Sequence, residues 1–342
     1  MRVRELGSGE SGAWDAFVEG HPRSTVFHLT AWRRAIERVF PYEPHYLVAE
    51  EAGAVAGVLP LFLVENWVLG RVLISSPFAV YGGILAESEA ARATLAEAAA
   101  GLARRLEVEH LELRNAYEDQ CAGFARLDRY VTFSFPLEPL SAGELLARIP
   151  KKTRNMVRKA QRFAYQVRRT RELNAFYELL ARNYRRLGTP VFPRAWFEAL
   201  CENYGERVDV REVILEGRVV AASLNFLYRG EMHTYYAASR AEYFAKAPNN
   251  YLYFDHLLWA AENGFRAFDF GRSKKQTGNY EFKKHWGAAP RELPYEVLLV
   301  RRGEMPDFTP KNPRYELAAK VWRRLPLGLT RRLGPRLIGW FP

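Results

Sequence analysis

Gly53-Ala-Val-Ala-Gly-Val-Leu-Pro-Leu-Phe-Leu63 and Gly217-Arg-Val-Val-Ala-Ala-Ser-Leu-Asn-Phe-Leu227 align without a gap. Each opens on a glycine turn and continues as the apolar run of a buried strand. Their flanks repeat as well. Tyr46–Ala49 leads into the first block through Glu51-Ala52-Gly53, and Val208–Leu215 leads into the second through Glu216-Gly217-Arg218, so two hairpins are predicted. Behind the first block come the strand-like Val72–Ser75 and Tyr81–Leu85, an Ala-rich helix over 88–107, and a strand over Leu111–Asn115. Behind the second come Met232–Ala238, a helix capped by Asn250 and running to Glu262, and the strand Phe268–Phe270. Further helices are predicted over 24–40, 172–187 and 193–203. Two blocks that keep their order imply tandem duplication of one α/β (α+β) unit, each a mixed, mostly antiparallel sheet flanked by helices. The predicted limits are 1–145 and 146–302, followed by a basic tail over 303–342.

Composition narrows the function classes. A chain of 342 residues that is 48% hydrophobic and 14% aromatic can bury substantial cores. Cys121 and Cys201 are its two cysteines, so neither a disulfide scaffold nor a metal site is predicted. The first residues lack the apolar core of a signal peptide, and Pro60 interrupts the best apolar run, which points to a cytoplasmic protein. A net charge of +11 favours polyanionic partners: nucleic acid, phosphorylated substrates or anionic lipid.

The chemistry is placed in Phe268–Gly287. The strand Phe268-Asp269-Phe270 ends at Gly271, and Arg272, Ser273, Lys274 and Lys275 follow in a Gly-bracketed loop. Asn279 is read as the cap of a short helix carrying Tyr280, Phe282 and Lys283. Backbone N–H groups and cations then converge on an anion or a developing oxyanion; a solvated basic turn is the alternative.

Residues 145–171 hold ten Arg or Lys and no acid. Pro150 can open a helix with Lys151, Arg154, Arg158 and Arg162 on one face, which reads as an anion-binding helix. In the tail, two amphipathic segments are predicted over 313–325 and 329–339. The first docks on the protein and buries Trp322, and the last dozen residues make peripheral contact with the inner membrane.

Ile149-Pro-Lys-Lys-Thr-Arg-Asn-Met-Val-Arg-Lys-Ala160, Leu187-Gly-Thr-Pro-Val-Phe192, Phe268-Asp-Phe-Gly-Arg-Ser-Lys274 and Tyr280-Glu-Phe-Lys-Lys-His-Trp-Gly287 together resemble one family. It is that of the FemAB-like proteins associated with exosortase/PEP-CTERM systems, relatives of the Fem peptidyltransferases of peptidoglycan cross-bridges. His21–His28, Pro77–Gly83 and Leu111–Asn115 extend the resemblance into the first half. It implies two tandem GNAT-like (acyl-CoA N-acyltransferase-like) domains. It also implies acyl or aminoacyl transfer that forms an amide on an amine of a cell-envelope or exopolysaccharide precursor. The family's active-centre Phe-Lys pair maps onto Phe282 and Lys283, and its substrate-binding tyrosines onto Tyr235 and Tyr236.

On this basis Lys283 is assigned an electrostatic role, Phe282 and Tyr236 join it at the centre, and Asp269 is a candidate to orient or deprotonate the amine. Arg272, Ser273, Lys274, Lys275, Tyr235, Tyr280, Arg154 and Arg158 are candidates for binding a phosphorylated sugar or lipid-linked precursor. No bound cofactor is predicted; the donor is an aminoacyl-tRNA or an acyl-CoA. Ser239–Asn250 lacks the glycines of the usual CoA pyrophosphate loop, and the tRNA-ligase-like helical arm of some Fem proteins is not evident. Two further readings stay open: an acyl-CoA-dependent N-acetyltransferase, and a non-catalytic assembly factor that binds an anionic glycan or lipid carrier.

Overall fold

The computed structural model describes residues 1–117, 121–137, 140–304 and 313–342. The chain forms two compact units, one of Met1–Arg129, Leu293–Thr309 and Gly339–Pro342, the other of Tyr130–Glu292 and Pro310–Ile338.

The first unit is built on the sheet order Arg2–Glu5, Glu43–Glu51, Ala54–Asn66, Gly70–Ser75, His110–Arg114, Tyr295–Leu299, Ala125–Leu127. Gly70–Ser75 and His110–Arg114 run parallel, because the helix Glu89–Arg105 carries the chain between them. That helix has Ser88 as its N-cap, Glu89 in its first turn, and Arg104 and Arg105 in its last, each placed to complement the backbone dipole. Its Leu95, Ala99 and Leu102 pack on Leu59, Leu61 and Leu111 of the sheet.

The second unit repeats the plan. Val208–Leu215 and Arg218–Tyr228 form the hairpin, Glu231–Ser239 adds antiparallel, and the helix Pro248–Glu262 crosses over to Ala267–Asp269, which pairs parallel with Glu231–Ser239. Arg218–Tyr228 is central and buried through most of its length, so its polar side chains need partners. Ser223 meets His256 Nε2 at 3.1 Å, and Asn225 Nδ2 donates to Asp209 O at 3.0 Å. Asn250 lies inside the helix that it was expected to cap. The helix starts at Pro248, whose missing N–H suits a first turn, after Ala247 with φ of 57°.

The units divide elsewhere than at residues 145 and 302. Tyr130–Pro136 pairs with Ala267–Asp269 in the second sheet, and Tyr295–Leu299 pairs with His110–Arg114 in the first. Phe133 and Phe135 are buried in one cluster with Phe268 and Trp286, and Glu296 receives the side-chain amide of Asn115 at 2.8 Å. Long-range pairing thus decides the membership of both strands, and local composition does not carry that information.

Candidate active site

The site begins at the end of Ala267–Asp269. Asp269 Oδ1 accepts the Gly271 N–H at 2.6 Å and the Thr132 hydroxyl at 3.2 Å, which fixes the turn. Gly271 adopts φ of 73°, and a Cβ there would stand 2.7 Å from His233 Nε2, so only glycine fits. The turn aims two carbonyls at one point. Lys283 Nζ donates to Gly271 O at 2.9 Å and to Arg272 O at 2.8 Å.

Lys283 reaches that point from the helix Gly278–Lys284. Thr277 caps this helix by accepting the Tyr280 N–H, and Asn279, the expected cap, is its second residue. The lysine is 9% exposed. Burial disfavours its ammonium and pulls its pKa from 10.5 to about 7; Asp269 opposes the shift and Arg272 adds to it. A neutral amine keeps both N–H donations to the carbonyls and gains a lone pair.

The parallel ladder of Glu231–Ser239 with Ala267–Asp269 ends at His233. The next six residues, Thr234–Ser239, line a cavity of about 520 Å³ together with Lys283, Phe282 and Arg272. Tyr253 and Phe270 stack in its wall at 5.6 Å between centroids. The Tyr236 hydroxyl accepts the Trp196 indole N–H at 3.0 Å, and burial holds its pKa well above the ordinary value, so its proton stays in place.

Of the candidates, Lys283, Phe282, Arg272, Tyr235 and Tyr236 share this cavity. Asp269 lies off its wall and anchors the Gly271 turn. Ser273 is buried in the strand Ser273–Lys274, Lys275 pairs with Glu292 at 2.8 Å, and Tyr280 packs on Phe133; none of these, nor Lys274, lines the cavity. Asn183, Thr189, Phe244, Asn249 and Tyr253 line it without having been singled out. Thr189 sits in the stretch Leu187–Phe192 and Phe244 and Asn249 sit in Ser239–Asn250, whereas Asn183 and Tyr253 carry no local signal, because the packing of their helices brings them in.

Arg154 and Arg158 lie on the helix Lys151–Ala160, away from the cavity wall. Thr153 on that helix donates to His285 O, just beyond the helix bearing Lys283. The basic segment is partly compensated, which its sequence does not show: Arg168 pairs with Glu212, Arg169 with Asp209 and Arg171 with Glu206. Lys151, Lys152, Arg154, Arg158, Lys159 and Arg162 have no acidic partner among the described residues.

The first unit has a cavity of about 760 Å³, lined in part by His21, His28, Arg23 and Tyr117. Its histidines are committed to structure. His28 Nδ1 accepts the Thr25 N–H at 3.1 Å, so its Nε2 proton meets Gly83 O, and burial lowers its pKa to about 4. His21 likewise accepts from Arg23 N and faces Ala86 O.

Residues 148–284 match the model of the acetyltransferase (GNAT) domain family. No curated protein sequence matches the chain. Among solved structures it is similar to FemX, at 16% identity and a TM-score of 0.71, over 93% of this chain and 100% of that one. It is similar to the C-terminal domain of a putative lysylphosphatidylglycerol synthetase from Agrobacterium fabrum, at 10% identity and TM-score 0.55, over 84% and 91% of the two chains. It is also similar to a tandem GNAT protein of the clavulanic acid biosynthesis pathway, at 14% identity and TM-score 0.55, over 90% and 99%. The fold is therefore a tandem GNAT fold, and residues 148–284 are the part that resembles the GNAT domain family.

Proposed function

We propose that the second unit transfers an acyl or aminoacyl group to an amine, forming an amide on a cell-envelope or exopolysaccharide precursor. The observation that carries this reading is Lys283, a buried amine with a pKa near 7 on the wall of a cavity lined in part by aromatic residues. A lysine tuned to neutral pH can take a proton as well as hold a charge. In the reaction proposed, the acceptor amine attacks the donor carbonyl carbon, a C–N bond forms, and the carbonyl π pair moves to oxygen. Neutral Lys283 takes the proton released from the nitrogen. The Tyr236 O–H, polarised by the indole N–H that it accepts, donates to the oxyanion. Collapse breaks the bond to the leaving ester oxygen or thioester sulfur, to which the Lys283 ammonium returns the proton. Asp269 serves by positioning, because it sets the turn whose carbonyls hold the lysine.

The envelope substrate class is supported by likeness to FemX and to a structure whose name specifies an aminoacylated phospholipid. For the donor, the edge of Ala237–Ser239 offers main-chain groups to an extended, amide-bearing arm. The helix start beside it is poor for a pyrophosphate, since Pro248 removes one N–H and no side chain caps the end. The strand edge suits the arm of an acyl-CoA and the helix start does not suit its pyrophosphate; the second feature tips the reading toward an aminoacyl ester. The test is mass spectrometry of envelope and exopolysaccharide precursors from strains carrying wild-type protein or Lys283→Ala. A precursor lacking one acyl or aminoacyl group should accumulate in the variant, with transfer down about 10²–10⁴-fold. Identical precursor profiles, with the variant folded and expressed, refute the reading.

A further inference from the structure

Five large apolar side chains of the second unit are exposed among its described residues: Leu187, Phe244, Leu317, Val321 and Leu329. All lie on the helix Asn174–Leu187 or on elements that touch it. The helices Pro313–Arg324 and Leu327–Leu337 both pack on the helix Asn174–Leu187. Gly188 lies so close to Ala319 that a Cβ would sit 2.8 Å from it, and Arg323 donates to Leu187 O at 3.1 Å. Leu187 and Phe244, with Arg186 over the Phe244 ring, line the cavity that holds Lys283.

Leu317, Val321 and Arg324 recur at i, i+4 and i+7 on the outward face of the first helix, where Leu317 is 64% and Val321 52% exposed. Leu329, Arg332 and Arg336 recur similarly on the second, and all three are exposed. From 316 to 337 the one acid is Glu316, and Lys320 neutralises it at 2.7 Å. Arg324, Arg332 and Arg336 have no acidic partner among the described residues. The sequence alone placed membrane contact in the last dozen residues, where Trp340 and Phe341 are exposed; the structure exposes Leu317 and Val321 as well, on the helix that also buries Trp322.

We propose that this face docks on an anionic bilayer, with Leu317, Val321 and Leu329 at the acyl boundary and Arg324, Arg332 and Arg336 at the headgroups. Leucine and valine rimmed by arginine are the composition of a helix lying in a membrane interface. The charge sign selects anionic lipid, and the exposed stripes are too narrow to form the charge-depleted core of a protein interface. This rests on the acyl-transfer reading in one respect: it puts the cavity rim at the surface where a lipid-linked acceptor resides.

The test uses the full chain and vesicles of phosphatidylcholine with or without phosphatidylglycerol, with no donor or acceptor present, so its outcome is independent of that reading. Wild type should co-sediment with the anionic vesicles only. Leu317→Ser/Val321→Ser and Arg324→Glu/Arg332→Glu should each weaken binding at least about tenfold while melting like wild type. Leu317→Trp should show a blue-shifted emission on adding anionic vesicles. Absence of binding, equal binding to neutral vesicles, or loss through the arginines alone with no shift at Trp overturns the proposal; the last outcome would mean an electrostatic partner that the apolar stripe does not enter.

Discussion

Lys283 was expected from the sequence to act electrostatically and not as a base, and its burial changes that expectation. Its place in Phe-Lys on a short helix is visible in the sequence, but its protonation is set by burial against the Gly271–Arg272 turn. The thermodynamic consequence has a definite sign. The folded pKa is near 7 and the ordinary value 10.5, so between these pH values the unfolded chain binds a proton that the folded chain lacks. Stability from this group therefore rises with pH across that window. Compared with Lys283→Met, wild type should gain stability from pH 7 toward pH 10, approaching about 1.4 kcal/mol per pH unit. Denaturant unfolding of both proteins at several pH values checks this. Parallel pH profiles would mean that the lysine is solvated and protonated, which would also remove its role as a base.

At the scale of elements, glycines decide how closely helices approach. Gly188 ends the helix Asn174–Leu187 at φ of 83°, and an added Cβ would meet Ala319 Cβ at 2.8 Å and Ala319 O at 2.9 Å. Gly217, in the hairpin that matches Gly53-Ala-Val-Ala, has a similar φ of 74° but nothing within 4 Å. Alanine at either site incurs the left-handed penalty, of order 1 kcal/mol; at Gly188 it also forces the helix Pro313–Arg324 outward, for a total of roughly 2–4 kcal/mol. Thermal unfolding and hydrogen exchange of that helix distinguish the two substitutions. Equal costs, with exchange unchanged in 316–324, would show that the helix is not held there.

For the whole molecule, the +11 charge is unevenly matched. Arg168, Arg169 and Arg171 find acids on neighbouring elements, while six cations of Lys151–Arg162 find none among the described residues. Binding of the chain to tRNA should therefore weaken steeply with salt. Reversing Arg154 and Arg158 to Glu should lower the log–log slope by about two, as expected for two lost phosphate contacts. A slope unchanged by the reversal would assign that affinity to other basic surfaces and leave this helix a solvated one.

The paired blocks at Gly53 and Gly217 determined the architecture by themselves, because a buried strand behind a glycine turn is a local pattern and its recurrence in order admits few folds. The Phe282-Lys283 and Tyr235-Tyr236 candidates came from the family resemblance, the first through a short motif and the second through its strand alone, and the structure brings all four to one cavity. The extents of the two units were not legible in the sequence, because Tyr130–Pro136 and Tyr295–Leu299 are assigned by ladders to strands more than a hundred residues away. Nor were the pairing of Arg168 with Glu212, the capping by Thr277 in place of Asn279, or the hydrogen bond by which Asp269 holds the Gly271 turn. Each depends on which groups are desolvated together. Only tertiary structure decides that, since burial and distance set the charge of Lys283 while the sequence supplies only its identity and its place on a helix.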